Sequence, residues 1–168
     1  MVRLSVATWP PPDVMATLSK LDRPPVPGVR WSTPEQWMVK VRPLGYVDDR
    51  TVPLLVDALQ AELDGAPAVE CVLGPATRRI GGEWFGAPVA GLDDLAAVVF
   101  EATEGLVPVT HPQPFRADVV LARGRVPQEL ADRPVSASWT ARSLTLIADR
   151  SSPGAPRYQN LAQIPLGA

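Results

Sequence analysis

Four basic residues stand where they could bind a phosphate group. Lys40 and Arg42 lie in an alternating segment, while Arg123 ends a second β-prone segment and Arg157 precedes a third. An arginine guanidinium can hold two phosphate oxygens at once, and a lysine ammonium acts as a compact point charge. We therefore predict that these residues bind an anionic ligand. The alternative is that the three arginines are surface or inter-strand charges.

His111 and Cys71 are the only histidine and cysteine in the sequence. His111 shortly precedes Pro112 and Pro114, so we expect a solvent-facing loop histidine rather than a substitute catalytic group. Cys71 lies in the apolar run AVECVL with no basic neighbour, which predicts a buried, unreactive thiol. A single cysteine excludes an internal disulfide bond.

Tryptophan side chains offer a further kind of chemistry, because they can stack on nucleic-acid bases. Trp31 stands in a proline-rich loop and is our candidate for stacking. Trp37 and Trp84 fall within strand patterns, so we predict that both are core or half-core residues.

The composition argues against two classes of partner. The chain has 168 residues and a net charge of −2, so it lacks the broad basic surface with which proteins bind duplex DNA. No apolar run approaches the roughly 18 to 20 residues of a membrane span. The first apolar run is too short for a signal peptide and ends at Pro10–Pro12, so we expect a cytoplasmic protein.

The apolar pattern predicts an α+β fold with antiparallel sheet elements. Strands are expected at residues 3–8, 36–42, 68–73, 79–85, 118–123, 142–148 and 158–164. Helices are expected at residues 13–21, 51–63 and 92–104. In the strand 36–42, alternation predicts that Met38, Lys40 and Arg42 share one face.

Several segments together resemble the 2′-5′ RNA ligase family, also known as two-histidine phosphoesterases. The stretch VRWSTPEQWMVKVRPLGYVDD resembles the first motif region, typically Trp-His-Val-Thr-Leu-Arg-Phe-Leu-Gly. The stretch PFRADVVLARGR resembles the second, typically Phe-Arg-Pro-His-Leu-Thr-Leu-Ala-Arg. The opening RLSVATWPPPDV and the ending SLTLIADRSSPGAPRYQNLAQIPL are also similar to the family, so the resemblance spans nearly the whole chain.

This resemblance implies a single two-lobed domain over residues 1–168. The expected fold is bilobal, with two antiparallel sheets, flanking helices, a pseudo-two-fold relation and a cleft between the lobes. Each lobe of a family member supplies one His-x-Thr/Ser motif to the cleft. The family hydrolyses 2′,3′-cyclic phosphodiesters and ligates RNA through 2′-5′ linkages, and the resemblance implies no metal or other cofactor.

The sequence departs from the family at all four catalytic positions. Met38 and Lys40 replace the histidine and threonine of the first motif, and Asp118 and Val120 replace those of the second. Imidazole suits proton transfer because its pKa of roughly 6.5 lies near neutral pH, whereas methionine does not titrate. Since the family brings the two motifs together, we predict an ion pair between Lys40 and Asp118.

Three functions follow as alternatives. The first, which we favour, is a catalytically degenerate protein that binds a nucleotide, an RNA end or a protein partner. The second is an active RNA 2′,3′-cyclic phosphodiesterase with a rebuilt site, in which Asp118 is the base and Lys40 stabilises charge. The third is a structural interaction module with a closed cleft. The sequence leaves enzymatic activity open but favours its absence.

Overall fold

The computed structural model of the chain describes residues 1–110 and 112–167. The prediction for His111 therefore lies outside the described residues. The described part of the chain contains ten β-strands and three α-helices. The strands are β1 (Val2–Thr8), β2 (Arg30–Trp31), β3 (Val39–Val47), β4 (Val69–Leu73), β5 (Arg78–Ile80), β6 (Trp84–Ala90), β7 (Asp118–Arg123), β8 (Ala137–Ala141), β9 (Ser143–Asp149) and β10 (Tyr158–Pro165). The helices are α1 (Pro12–Ser19), α2 (Val52–Leu63) and α3 (Asp93–Thr103).

The strands form two antiparallel sheets. The first sheet has the order β10-β9-β1-β3, and the second has the order β2-β7-β6-β4-β8 with β5 paired to β6. β3 lies in the first motif region and β7 in the second, and the two strands belong to different sheets. The predicted α+β fold with two antiparallel sheets and flanking helices is confirmed.

The predicted strand 79–85 is wrong as one element. The chain reverses between β5 and β6 at Gly81 and Gly82, and Gly81 has a φ of +66°, which favours glycine. The strand predicted at residues 36–42 begins only at Val39, because Pro34–Gln36 form a single 3₁₀ turn. The amide of Thr33 donates to the side chain of Gln36 and closes that turn.

Apolar side chains at helical spacing fix the helices to the sheets. Leu55, Leu59 and Leu63 of α2 follow one another at every fourth residue and are all buried. One cluster of buried side chains includes members of both sheets, such as Leu4 and Val119. Within the described ranges, no helix has the length and apolar character needed to cross a membrane.

Cys71 is fully buried in β4, and burial together with the neighbouring Glu70 raises the pKa of its thiol to about 11. We expect the native protein to react with a thiol reagent at about pH 8 roughly 10²-fold more slowly than the unfolded chain, because the thiolate is the reactive form. Timed labelling with and without guanidinium chloride measures this ratio. Equal rates would contradict the assigned environment of Cys71.

Candidate functional site: the cleft between the two sheets

A cleft of about 920 Å³ opens between the two sheets. One wall carries Lys40 and Tyr158 from the first sheet, and the other carries Asp118 and Val120 from the second. This volume falls within the range of pockets that hold small molecules. The cleft is therefore large enough to hold a small-molecule ligand.

A β-bulge separates Lys40 from Arg42 on β3. Lys40 pairs with Ala7 of β1, but Arg42 pairs with Val6, so Val41 is an extra residue on β3. Because neighbouring residues of β1 point to opposite faces, the bulge turns Arg42 away from Lys40. The prediction that Met38, Lys40 and Arg42 share one face is wrong for Arg42.

Arg42 is consequently a buried structural residue, with only 4% of its surface exposed. Its guanidinium donates to Thr103 Oγ1 and, at 2.6 Å, to the carbonyl of Val107, and it lies 4.7 Å from the ring centre of Phe100. These contacts tie the C-terminal end of α3 to β3, where a cation is favoured by the helix dipole. Burial lowers the pKa of Arg42, while Glu104 opposes that effect.

Lys40 points into the cleft and is accessible to solvent there. The surrounding concave wall removes part of its hydration, which lowers its pKa. Arg3 lowers the pKa further, and Asp149 acts in the opposite direction. Arg3 and Asp149 are themselves ion-paired at 3.8 Å on the neighbouring strands. Lys40 is thus a cation at the surface of the cleft.

Met38, which the sequence resemblance places at the first motif histidine, is nearly inaccessible. It packs in a small apolar cluster with Ala7 and Ile147, against which Trp9 and Tyr158 also pack. Since Ala7 is also the pairing partner of Lys40, Met38 and Lys40 lie on the same side of the first sheet. The shared face predicted for these two residues agrees with this arrangement.

Asp118 pairs with Arg78 and not with Lys40. The Arg78 Nη2 atom lies 3.2 Å from Asp118 Oδ1, and the ion pair predicted between Lys40 and Asp118 is wrong. Arg78 sits on β5 and reaches Asp118 across Gly86 of β6, which has no side chain to block it. A Cβ atom at Gly86 would lie 2.2 Å from the Val119 carbonyl oxygen, so only glycine fits there.

A short chain of hydrogen bonds joins the two motif regions. The indole of Trp37, which is fully buried, donates to Ser32 Oγ at 2.9 Å. Ser32 Oγ in turn donates to the carbonyl of Val120 at 2.8 Å, and the Ser32 amide donates to the Leu121 carbonyl. The core position predicted for Trp37 is confirmed. These hydrogen bonds connect the backbone at Val120 to the segment that precedes β3.

The mouth of the cleft carries an aromatic and basic surface. Trp84 is 44% exposed, so the core or half-core position predicted for Trp84 is wrong. Trp84 is the first residue of β6 and lies beside the β5–β6 turn, at the periphery of the core. The guanidinium of Arg123 lies 5.3 Å from the Trp84 ring centre. Arg30 lies opposite Arg123 in the backbone pairing of β2 with β7.

Trp31 is half-buried beside this surface. Its indole donates to the Pro24 carbonyl at 2.8 Å, and its ring meets Phe85 edge-on at 6.0 Å. Trp31 borders the cleft, as expected for the stacking candidate, but Trp84 presents more of its ring to solvent. That Trp31 stacks on a base stays a prediction.

Arg157 lies away from the cleft. Its backbone closes the β9–β10 hairpin, where its amide donates to Ser151 Oγ at 2.8 Å. The Arg157 carbonyl accepts from the Arg150 amide. The adjacent Tyr158 borders the cleft in its place. Alternation along the strand explains this, because the first residue of β10 points inward when its neighbour points outward.

The cleft is more basic than the protein as a whole. Within the described residues, five exposed basic side chains and two acidic ones line it, although the chain has a net charge of −2. The exposed basic set is Arg3, Arg30, Lys40, Arg116 and Arg123, whereas Arg42 borders the cleft with its guanidinium buried. Sequence reasoning missed Arg3, Arg30 and Arg116, since arginine is frequent throughout this chain. In the described part, no cluster of three or more His, Cys, Asp or Glu side chains is arranged to hold a metal ion.

This chain is similar to several solved protein structures. No protein-family model matches the sequence, and a search of curated proteins finds no match either. Among solved structures, the TT0787 protein of Thermus thermophilus is 21% identical with a TM-score of 0.80, over 98% of this chain and 97% of that one.

Escherichia coli LigT has also been solved, in several complexes. The complex with 3′-AMP is 19% identical to this chain with a TM-score of 0.79, and the match covers 99% of each chain. The complex with NADP⁺ is 20% identical with a TM-score of 0.74, over 99% of this chain and 98% of LigT. At these identities the likeness concerns the fold, and the chain has the LigT-like fold that the sequence resemblance implied.

Proposed function

We propose that residues 1–168 form one two-lobed, cytoplasmic domain that binds a nucleotide or the end of an RNA strand in the cleft without converting it. The observation that carries the proposal is the excess of basic side chains around a cleft of about 920 Å³. Concave walls with one sign of charge raise the local concentration of ligands of the opposite sign. The LigT structures with 3′-AMP, ATP and NADP⁺ support a nucleotide as the ligand class.

The loss of catalysis is the second part of the proposal. Met38 and Val120 have no proton to exchange, and Met38 is packed among apolar side chains. The rebuilt enzyme would need Asp118 as its base, but Asp118 Oδ1 is held by Arg78 and Lys40 is not its partner. The alternative of a structural module with a closed cleft is disfavoured by the volume of the cleft. A protein partner is not favoured by any specific contact.

Calorimetric titration with 5′-AMP, ATP and a short RNA tests the proposal at low and at moderate salt. We expect saturable binding that weakens as salt is added, because the contacts are largely with phosphate. In parallel, 2′,3′-cyclic AMP should be recovered intact after incubation with the protein. Absence of binding to every nucleotide and to RNA would overturn the proposal, and steady hydrolysis would favour the rebuilt enzyme.

The affinity for an anion should depend on pH through Lys40. Because desolvation lowers the pKa of Lys40, its charge is complete at low pH and is lost at a lower pH than for an ordinary lysine. Nucleotide affinity of the unchanged protein should therefore fall as the pH rises through that range. Lys40→Arg keeps its charge and should abolish this decline. If the nucleotide affinity of the unchanged protein and that of Lys40→Arg changed with pH in the same way, Lys40 would have no role in binding.

A further inference from the structure

Asp118 is an acidic group in a cleft whose other charges are mostly basic. Its side chain is 10% exposed, at the first position of β7, where the backbone pairs with Pro88. The position lies on the same side of the sheet as Val120 and Gly86, since residues two apart on a strand share a face. Asp118 therefore borders the ligand space from the wall of the second sheet.

The salt bridge with Arg78 fixes the orientation of this carboxylate. Oδ1 faces the Arg78 guanidinium at 3.2 Å, while Oδ2 receives no hydrogen bond from any of the residues that the structure describes. An ionised carboxylate only accepts hydrogen bonds. Oδ2 is thus an oriented acceptor, suited to a hydroxyl group and unsuited to a phosphate oxygen, which is itself an acceptor and carries like charge.

Arg116 is exposed two residues before Asp118, and four other cations lie elsewhere in the cleft. Lys40 and Arg3 lie on the wall of the first sheet, and Arg30 and Arg123 lie at the mouth. A ligand that makes favourable contacts with both walls therefore has a phosphate group near these cations and a hydroxyl group near Asp118. An acidic side chain that accepts from ribose hydroxyls, and excludes a phosphate from them, is an established device in dinucleotide-binding proteins.

We propose that Asp118 makes the cleft selective for a ribose whose 2′- and 3′-hydroxyls are both free and whose phosphate lies on the 5′ side. This inference rests on the proposed function and narrows its ligand class. Both a nucleoside 5′-phosphate and the 3′-hydroxyl end of an RNA strand carry this chemistry. A ribose with a 3′-phosphate or a 2′,3′-cyclic phosphate would place negative charge against Asp118.

Competition of adenine ligands for the unchanged protein is the primary test, because it requires no variant. We expect 5′-AMP to bind roughly tenfold more tightly than 3′-AMP or 2′,3′-cyclic AMP, since a charge-assisted hydrogen bond is replaced by repulsion. The 2′-deoxy form of 5′-AMP should bind more weakly than 5′-AMP. A diadenylate with a 3′-hydroxyl end that binds more tightly than 5′-AMP would identify RNA as the source of the diol, and equal affinity would identify the mononucleotide.

Asp118→Asn tests whether this residue is responsible. The amide keeps the size of the side chain but removes its charge, so the preference for 5′-AMP over 3′-AMP should fall to near unity. Asp57→Asn, on the exposed face of α2, is the matched control and should keep the preference. Equal or tighter binding of 3′-AMP by the unchanged protein, or an unaltered preference in Asp118→Asn, would overturn the inference. If no ligand of the series bound, the proposed function itself would fail.

Discussion

The combined variant Met38→His, Lys40→Thr, Asp118→His and Val120→Thr is expected to hydrolyse 2′,3′-cyclic nucleotides at least ~10²-fold faster than the unchanged chain. Each general acid or base contributes ~10² to 10⁴-fold to such a reaction. The structural basis is that Met38 and Lys40 share a side of the first sheet, while Asp118 and Val120 share a side of the second. All four positions border the cleft.

Arg78 should limit the gain. Removal of the Asp118 carboxylate leaves the Arg78 guanidinium without its partner and beside the new imidazole, whose protonated form it disfavours. Adding Arg78→Gln to the combined variant should therefore raise the rate further. Release of the ring-opened nucleotide, followed by chromatography, measures both rates.

A partial variant supplies the control for this experiment. Met38→His with Lys40→Thr restores only one motif and should stay close to the unchanged chain, because acid and base are both needed. Suppose that the combined variant folds, binds nucleotide and still does not hydrolyse it. The two walls would then be too far apart or too poorly oriented for catalysis, since a misplacement of ~1 Å can cost 10²-fold.

Arg42→Ala should lower the free energy of unfolding by about 3 kcal/mol. Arg42 is buried and donates to Thr103 Oγ1 and the Val107 carbonyl, and hydrogen bonds to charged groups contribute about 1.5 to 3 kcal/mol each. The substitution also removes the contact with the Phe100 ring and leaves a cavity. For a chain of this size, the loss corresponds to a fall in Tm of roughly 6 to 12 °C.

Thermal and denaturant unfolding measure this effect, and Arg157→Ala serves as the matched control. Arg157 is exposed on the hairpin, so its removal should change stability by no more than about 0.5 kcal/mol. A comparable loss in both variants would show that Arg42 has no special structural role. A stable Arg42→Ala protein that no longer binds nucleotide would instead return Arg42 to the ligand site predicted from sequence.

Local pattern determined the elements well. The strand β7 (Asp118–Arg123) coincides with its predicted range, α2 begins one residue later than predicted, and α3 is one residue shorter at each end. These segments have clear apolar periodicity, which depends only on neighbouring residues. The LigT-like fold was likewise implied by motif-sized stretches of sequence, even though Met38, Lys40, Asp118 and Val120 differ from the residues typical of those motifs.

The direction of individual side chains in the cleft was decided by tertiary structure. A strict two-residue alternation placed Arg42 beside Lys40, and the extra residue Val41 reversed it, because a single bulge moves a side chain to the opposite face. No local signal marks that bulge, since it is defined by the pairing of β3 with β1.

The partner of Asp118 depended on tertiary structure in the same way. Arg78 stands 40 residues earlier in the chain and reaches Asp118 only because β5, β6 and β7 are adjacent and Gly86 leaves the path open. The sequence resemblance assigned Asp118 to a motif position, and a carboxylate in a partly buried cleft was expected to have a cationic partner. Which cation provides that partner is set by the order of strands in the sheet, a non-local property that residue spacing does not contain.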